Sequence, residues 1–375
     1  MGKVTLAGTA YDIGLRVGTL ARGALARRLR QQLGDERAWP ALIEEHGQRV
    51  AALREILLGT APHWYEEAEA MARGAGLPLD ALLLVNANPA SLAPAAAENC
   101  TAFAVIGEAS GCGANLLHKN RDEQPIPQSF FAKHVDGKNR ILGGVEVGGL
   151  GLAQMVNEHG LAGANNTGPP IIAGGPEDGF DDRLVLRMIG EQANNCEQAL
   201  EICEGLVRRG LVRRLDGDRG MIFLFADPRE GLVVEMTPWQ VWYEFWDDGL
   251  VCRANHFLLP EALGAVAGPV VPAEPESSTA LRHARAEELL RPKLGRLRPE
   301  DLIEAGKDSA GWPRSICNDH TVSMMTHQLS QAPEKRTSWV CNGHPLLAPT
   351  CEWPHSMTAT PIEHLSGMAW MGSPP

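Results

Sequence analysis

The residues whose types and spacing could do chemistry cluster around one cysteine. The stretch Glu98-Asn99-Cys100-Thr101-Ala102-Phe103-Ala104-Val105 is followed, after a Gly-rich turn, by His118-Lys119-Asn120-Arg121-Asp122-Glu123. Roughly a hundred residues of helical pattern precede Cys100, and straight after it the apolar alternation shortens to strand period. A strand from Thr101, a turn over 107–113 and a return strand from Ala114 make a hairpin that brings Asp122 back beside Cys100. A thiol and a carboxylate would then share one sheet edge. A cysteine at such a boundary can attack the carbonyl before it, converting the peptide bond to a thioester that water opens. The freed α-amine, with a pKa near ~8 in isolation, can then take the thiol's proton as general base. The plainer reading of Cys100 is a buried structural thiol, because context and not presence makes a cysteine reactive.

The chain resembles the acyl-coenzyme A:isopenicillin N acyltransferase family of N-terminal-nucleophile hydrolases, whose pattern is Cys-Thr, a hairpin and then Asn-x-Asp. Cys100-Thr101 and Asn120-Arg121-Asp122 fit it. So do Gly8-Thr9-Ala10-Tyr11-Asp12-Ile13-Gly14, Trp64-Tyr65-Glu66-Glu67, Ala72-Arg73-Gly74-Ala75, Gly160-Leu161-Ala162-Gly163-Ala164-Asn165-Asn166, Glu235-Met236-Thr237-Pro238, Asn255-His256 and Ser315-Ile316-Cys317. The resemblance implies an α+β fold, a four-layer αββα sandwich of two antiparallel sheets flanked by helices. It implies a precursor cut between Asn99 and Cys100, with a helical segment 1–99 and a catalytic chain 100–375 that stay together as one structural domain. The activity implied is hydrolysis or formation of a linear, non-peptide amide through a thioester on Cys100. The partner is thus a small-molecule amide or acyl donor. No cofactor is implied, and a coenzyme A thioester is the alternative acyl donor. A processing-dead homologue that binds a ligand is the rival from another class.

By the same resemblance Asp122 orients the nucleophile's amine or a buried water, and Asn255 donates its amide to the tetrahedral oxyanion, a contribution typically worth ~3 kcal/mol of barrier. A turn carboxylate and a turn-capping Asn are the bland alternatives. His256 is redundant beside an amine base and takes a structural role. Arg121, Asn165, Asn166 and Asn318 are the expected substrate-binding residues. Arg121 replaces an aromatic residue of the penicillin enzyme's motif, and Asn318 replaces a basic one, so penicillin chemistry is not assigned. Asn99 stands where that enzyme has Gly. Two C-x-x-H pairs, Cys317 to His320 and Cys341 to His344, resemble zinc spacing only superficially, and no metal is expected. The aromatic run Trp239, Trp242, Tyr243, Phe245 and Trp246 puts alternate members into a core or under an acyl pocket.

The elements that must position these groups follow from periodicity. A short strand over 3–7 leads to a helix capped by Thr9 and running toward Leu33, with Gly14 and Gly18 on one face. Helices are expected over 35–58, 62–75 and 79–88, and a Pro- and Ala-rich accessible loop over 89–97. Strands follow at 101–106, 114–119, 139–147, 151–156 and 161–165, helices at 181–193 and 197–209, and a meander at 220–226, 231–236, 239–246 and 250–254. After a Pro-rich loop come helices near 279–290 and 299–306 and strands near 321–328 and 336–341. Strand runs and helix runs without a βαβ rhythm favour antiparallel sheets covered by helices.

Composition bounds the partners. The 375 residues are 44% hydrophobic and 21% charged, those of an ordinary globular chain, with net charge −12. Residues 1–99 hold 10 basic and 11 acidic side chains, leaving 24 against 35 beyond Cys100. An acidic catalytic part repels phosphate backbones, so nucleic acid is not an expected partner. No apolar run reaches membrane-spanning length, and Met1-Gly2-Lys3-Val4-Thr5-Leu6 lacks an apolar signal core, so a cytoplasmic location with reduced thiols is expected for the eight cysteines.

Overall fold

The computed structural model describes residues 5–87, 100–172, 174–215, 218–268 and 275–355. Asn99 and the loop expected over 89–97 lie outside them. The chain opens with β1 (Thr5–Gly8) and α1 (Ala10–Leu33). Thr9 caps α1 by accepting from the Asp12 N–H at 3.1 Å, and Gly34, at φ 73°, closes it. The expected helix over 35–58 is broken into α2 (Trp39–Glu45) and α3 (Gly47–Thr60), joined at His46. Then come α4 (Pro62–Ala75) and α5 (Leu79–Ala87). Gly14 and Gly18 let α1 lie against α4: a Cβ on them would meet the Glu67 and Met71 carbonyl oxygens at 2.2 and 2.1 Å.

The first sheet holds eight strands. Beside β1 it contains β4 (Gln128–Val135), β5 (Ile141–Glu146), β6 (Gln154–Asn157), β7 (Ala162–Pro170), β8 (Arg219–Ala226), β9 (Gly231–Met236) and β10 (Val241–Trp246), in that spatial order. The second holds six, in the order β11 (Gly249–Arg253), β2 (Thr101–Ile106), β3 (Asn115–Asp122), β12 (Thr321–Leu329), β13 (Thr337–Asn342) and β14 (Thr350–Pro354). All pairings are antiparallel except β1 with β4, which is parallel, Thr5 opposite Ala132. Neither β4 nor β14 was expected. Pro125 and Pro127 disguise β4 as a loop.

Four layers follow from where the side chains point. Along β2, Ala102, Ala104 and Ile106 join a core between the sheets with Leu142, Ala164, Ile222 and Leu224, while Phe103 and Val105 turn to the opposite face. There they meet Ala286 and Leu290 of α8 (Ser278–Leu290) and Leu302 and Ala305 of α9 (Pro299–Gly306). The outer face of the first sheet, including Met155, Phe223 and Val234, packs on α1, α3, α4, α5, α6 (Asp182–Gln192) and α7 (Cys196–Arg208). This is the αββα sandwich. Each fully buried Phe or Leu contributes roughly 1.5–3 kcal/mol.

A buried ion cluster ties the helical segment to the sandwich. Glu67 of α4 accepts from Lys133 of β4 at 2.8 Å and from Arg187 of α6 at 2.5 Å, and Arg187 also donates to Glu191 at 2.8 Å. Glu191 receives the Trp64 indole N–H at 2.8 Å. Among the described residues no helix is long and apolar enough to cross a membrane.

Candidate active site

Three strand ends and one helix converge on Cys100. In the second sheet Thr101 faces Asn120 of β3 and Ala102 faces Arg253 of β11, so Cys100, Asp122 and Asn255 are carried to the same end. Cys100 is buried, with Sγ 3.8 Å from the Asp122 backbone oxygen. Across the intersheet gap β7 presents Asn165, Asn166 and Thr167.

Asp122 lies in a tight polar seat. Its Oδ1 accepts from Thr321 Oγ1 at 2.7 Å and its Oδ2 from Asn318 Nδ2 at 2.6 Å. Burial pushes the carboxyl up to about 6, against the pull of Arg282 and these two hydrogen bonds. Asn318 therefore stands behind Asp122, its amide donating also to the Ser315 carbonyl, and it is not part of the pocket wall.

Arg282 of α8 is the residue that sequence reasoning missed. It is fully buried, and Nη1 donates to the Cys100 carbonyl at 2.6 Å and to Thr101 Oγ1 at 2.7 Å, while Nη2 donates to Asn255 Oδ1 at 2.7 Å. Burial lowers its pKa to about 10, opposed by the charges of Asp122 and Cys100. A signal existed: Arg282 shares the buried stripe of α8 with Ala286 and Leu290, four residues apart, where an arginine needs partners. Asn255 is fixed on both sides, its Nδ2 donating to the Thr167 carbonyl at 2.8 Å. One amide hydrogen is thus committed and one is left over. His256 bonds Thr279 at 2.7 Å, and burial beside His283 brings it down to about 3.

Cys100 opens into a small pocket that is lined by charged and polar groups, among them Lys119, Arg121, Asn165, Thr167, Asp182 and Arg183. Lys119 donates to Asn165 Oδ1 at 2.9 Å, and Asn165 donates to Asp182 Oδ2 at 2.8 Å. Asn166, not itself in the lining, accepts from Lys119 at 3.4 Å and donates to the Arg253 and Ala254 carbonyls, pinning the strand end that carries Asn255. Arg121 donates to Glu146 at 2.7 Å. Arg183 and Arg28 of α1 reach the same carboxylate at 3.0 and 3.3 Å. Burial alone would raise Glu146, yet the three guanidinium groups hold it well below the usual carboxylate range.

The remaining motifs lie elsewhere. The Cys317 thiol sits 3.8 Å from His344, not beside His320, and among the described residues no group of three or more potential ligands surrounds a metal position. Trp242 and Trp246 pack against the intersheet core, Tyr243 and Phe245 are exposed, and none of the run lines the pocket.

A family model described as acyl-coenzyme A:6-aminopenicillanic acid acyl-transferase matches residues 115–346. The chain belongs to that family. It is accordingly an enzyme of an acyl-transferase family that acts on amides. The match takes in Asp122, Asn255, Arg282 and Asn318 but begins after Cys100, so the nucleophile is argued from the geometry around it. Among solved structures the chain is similar to a Caenorhabditis elegans ortholog of N-acylethanolamine-hydrolyzing acid amidase (12% identity, 60% of this chain and 92% of that one, TM-score 0.43). It is similar also to a variant of Clostridium perfringens conjugated bile acid hydrolase (13%, 70% and 100%, 0.44) and to Agrobacterium tumefaciens penicillin V acylase (11%, 65% and 83%, 0.39). No curated protein sequence matches the chain.

Proposed function

We propose that the chain is an autoproteolytic N-terminal cysteine amidohydrolase or acyltransferase. Activation begins when Cys100 Sγ attacks the Asn99 carbonyl; the peptide nitrogen becomes the free amine of Cys100, and water opens the thioester to release the Asn99 carboxylate. In the mature enzyme that amine takes the thiol proton, Sγ attacks the substrate's acyl carbon, and the amine passes the proton to the leaving nitrogen. Water or a second amine resolves the thioester. The remaining Asn255 amide hydrogen is the oxyanion donor, and Asp122 orients the nucleophile's amine. Segment 1–99 stays bound as part of one structural domain, held by the ion cluster of Glu67, Lys133 and Arg187.

The observation that carries this reading is the grip of Arg282 on the Cys100 carbonyl and on Asn255 together. A structural thiol needs no such clamp, whereas a first residue that carries both nucleophile and base must be held by its own backbone. The test is mass spectrometry of the mature protein after mixing with a panel of activated amides and thioesters. The proposal requires an acyl adduct that maps to Cys100; acylation confined to other thiols, or none, would sink it.

A further inference from the structure

Building on Cys100 as the nucleophile, we infer that this enzyme prefers small amides whose acyl part carries a protonated amine, read by the carboxylate of Asp182.

The wall of the pocket favours such a substrate over an aliphatic one. Among the described residues, its one apolar side chain besides Cys100 is Ala153. A fatty or aryl acyl group placed there would desolvate charged groups and return no apolar contact. The acyl part is also what remains in this space once the leaving amine has gone.

The charges already in the wall decide the sign. Arg121 pairs with Glu146 and Glu123, and Arg183 with Glu146 and, at 3.1 Å, with Asp181, so both cations already have carboxylate partners. Asp182 differs. It is 8% exposed, it lines the pocket, and the hydrogen bond its carboxylate accepts among the described residues comes from Asn165 onto Oδ2. The Lys119 ammonium donates to Asn165 and Asn166, and its charge also acts on Asp182. Burial, with the neighbouring Asp181, raises the Asp182 carboxyl to about 6 against the pull of Arg183, Lys119 and Arg213. A bound ammonium would add charge-assisted donors to this carboxylate.

Three p-nitroanilides decide the matter: alanyl, N-acetylalanyl and octanoyl. Acetylation removes the ammonium with the protein untouched. The expected result is a kcat/KM for the alanyl compound at least tenfold above the other two, and a fall of that preference by tenfold or more in Asp182→Asn, mainly through KM. Self-cutting and the melting temperature of the variant report its folding, and the wild-type comparison stands if the variant fails to fold. If the acetylated or octanoyl compound reacts as fast while an acyl adduct still forms on Cys100, this inference is overturned and the nucleophile reading survives. If no compound acylates Cys100, both fall together.

Discussion

Arg282 donates through one nitrogen to the backbone carbonyl of Cys100 at 2.6 Å, and the same nitrogen reaches Thr101 Oγ1 at 2.7 Å. The second terminal nitrogen holds Asn255, so one buried guanidinium ties Cys100 and Asn255 together. Replacing it with lysine keeps the charge and loses the planar fork. Each charge-assisted hydrogen bond is worth about 1.5–3 kcal/mol, so Arg282→Lys should lower kcat by at least about tenfold and slow self-cleavage in parallel. Single-turnover acylation and the time course of chain cutting measure the two. Normal values for both would deny Arg282 its positioning role.

Asp122 sets a pH dependence with a definite sign. Its carboxyl is raised from 3.8 to about 6 by burial. Between those values the unfolded chain has lost the proton and the folded chain has kept it, so stability declines as pH rises through this window and levels off above it. The span corresponds to about 3 kcal/mol at most, by the conversion of 1.36 kcal/mol per unit. Denaturant titrations at pH 4, 5, 6 and 7 should show that decline, and Asp122→Asn should reduce it, leaving the part that the similarly raised Asp182 contributes.

Asn318 acts through Asp122. Removing its amide takes away a donor to the carboxylate, which favours the protonated form still more. Asn318→Ala should therefore move the acidic limb of kcat/KM to higher pH and lower kcat with little change in KM. A pure rise in KM with an unmoved limb would return Asn318 to the substrate-binding role expected of it at the outset.

Two glycines of α1 test the seam between the helical segment and the sandwich. A methyl at Gly14 would lie 2.2 Å from the Glu67 backbone oxygen, on the residue that anchors Lys133 and Arg187. Gly14→Ala should cost about 1–3 kcal/mol or more in chemical denaturation. At exposed Gly23 a Cβ meets nothing nearer than Arg27 Nη1 at 3.8 Å, so Gly23→Ala should stabilise by about 0.5–1 kcal/mol.

These same features show what could be read from sequence. The change from helical to strand period at Cys100 predicted β2 and its hairpin with β3, because one-sided burial writes a period of two into the chain. Residues 118–122 ran polar inside that hairpin, and every one of them is buried. Their distant partners were not legible: Glu146, Asn165 and Thr321 lie 25, 46 and 199 positions from Arg121, Lys119 and Asp122, and pairing at such distance leaves no local pattern. Asn318 was noticed for its place in a motif and assigned to the substrate, whereas its amide faces Asp122. Strand β4 was lost to its flanking prolines, and the parallel contact of β1 with β4 arises from tertiary packing that local propensity does not encode.

By the proposed mechanism, Cys100 makes itself the first residue of a mature chain. Intact mass under denaturing conditions, for wild type beside Cys100→Ala, tests it most directly. The account predicts two wild-type pieces that meet between Asn99 and Cys100 and a mutant of full length. A wild-type chain that stays whole would contradict the amine-base mechanism and favour a ligand-binding homologue.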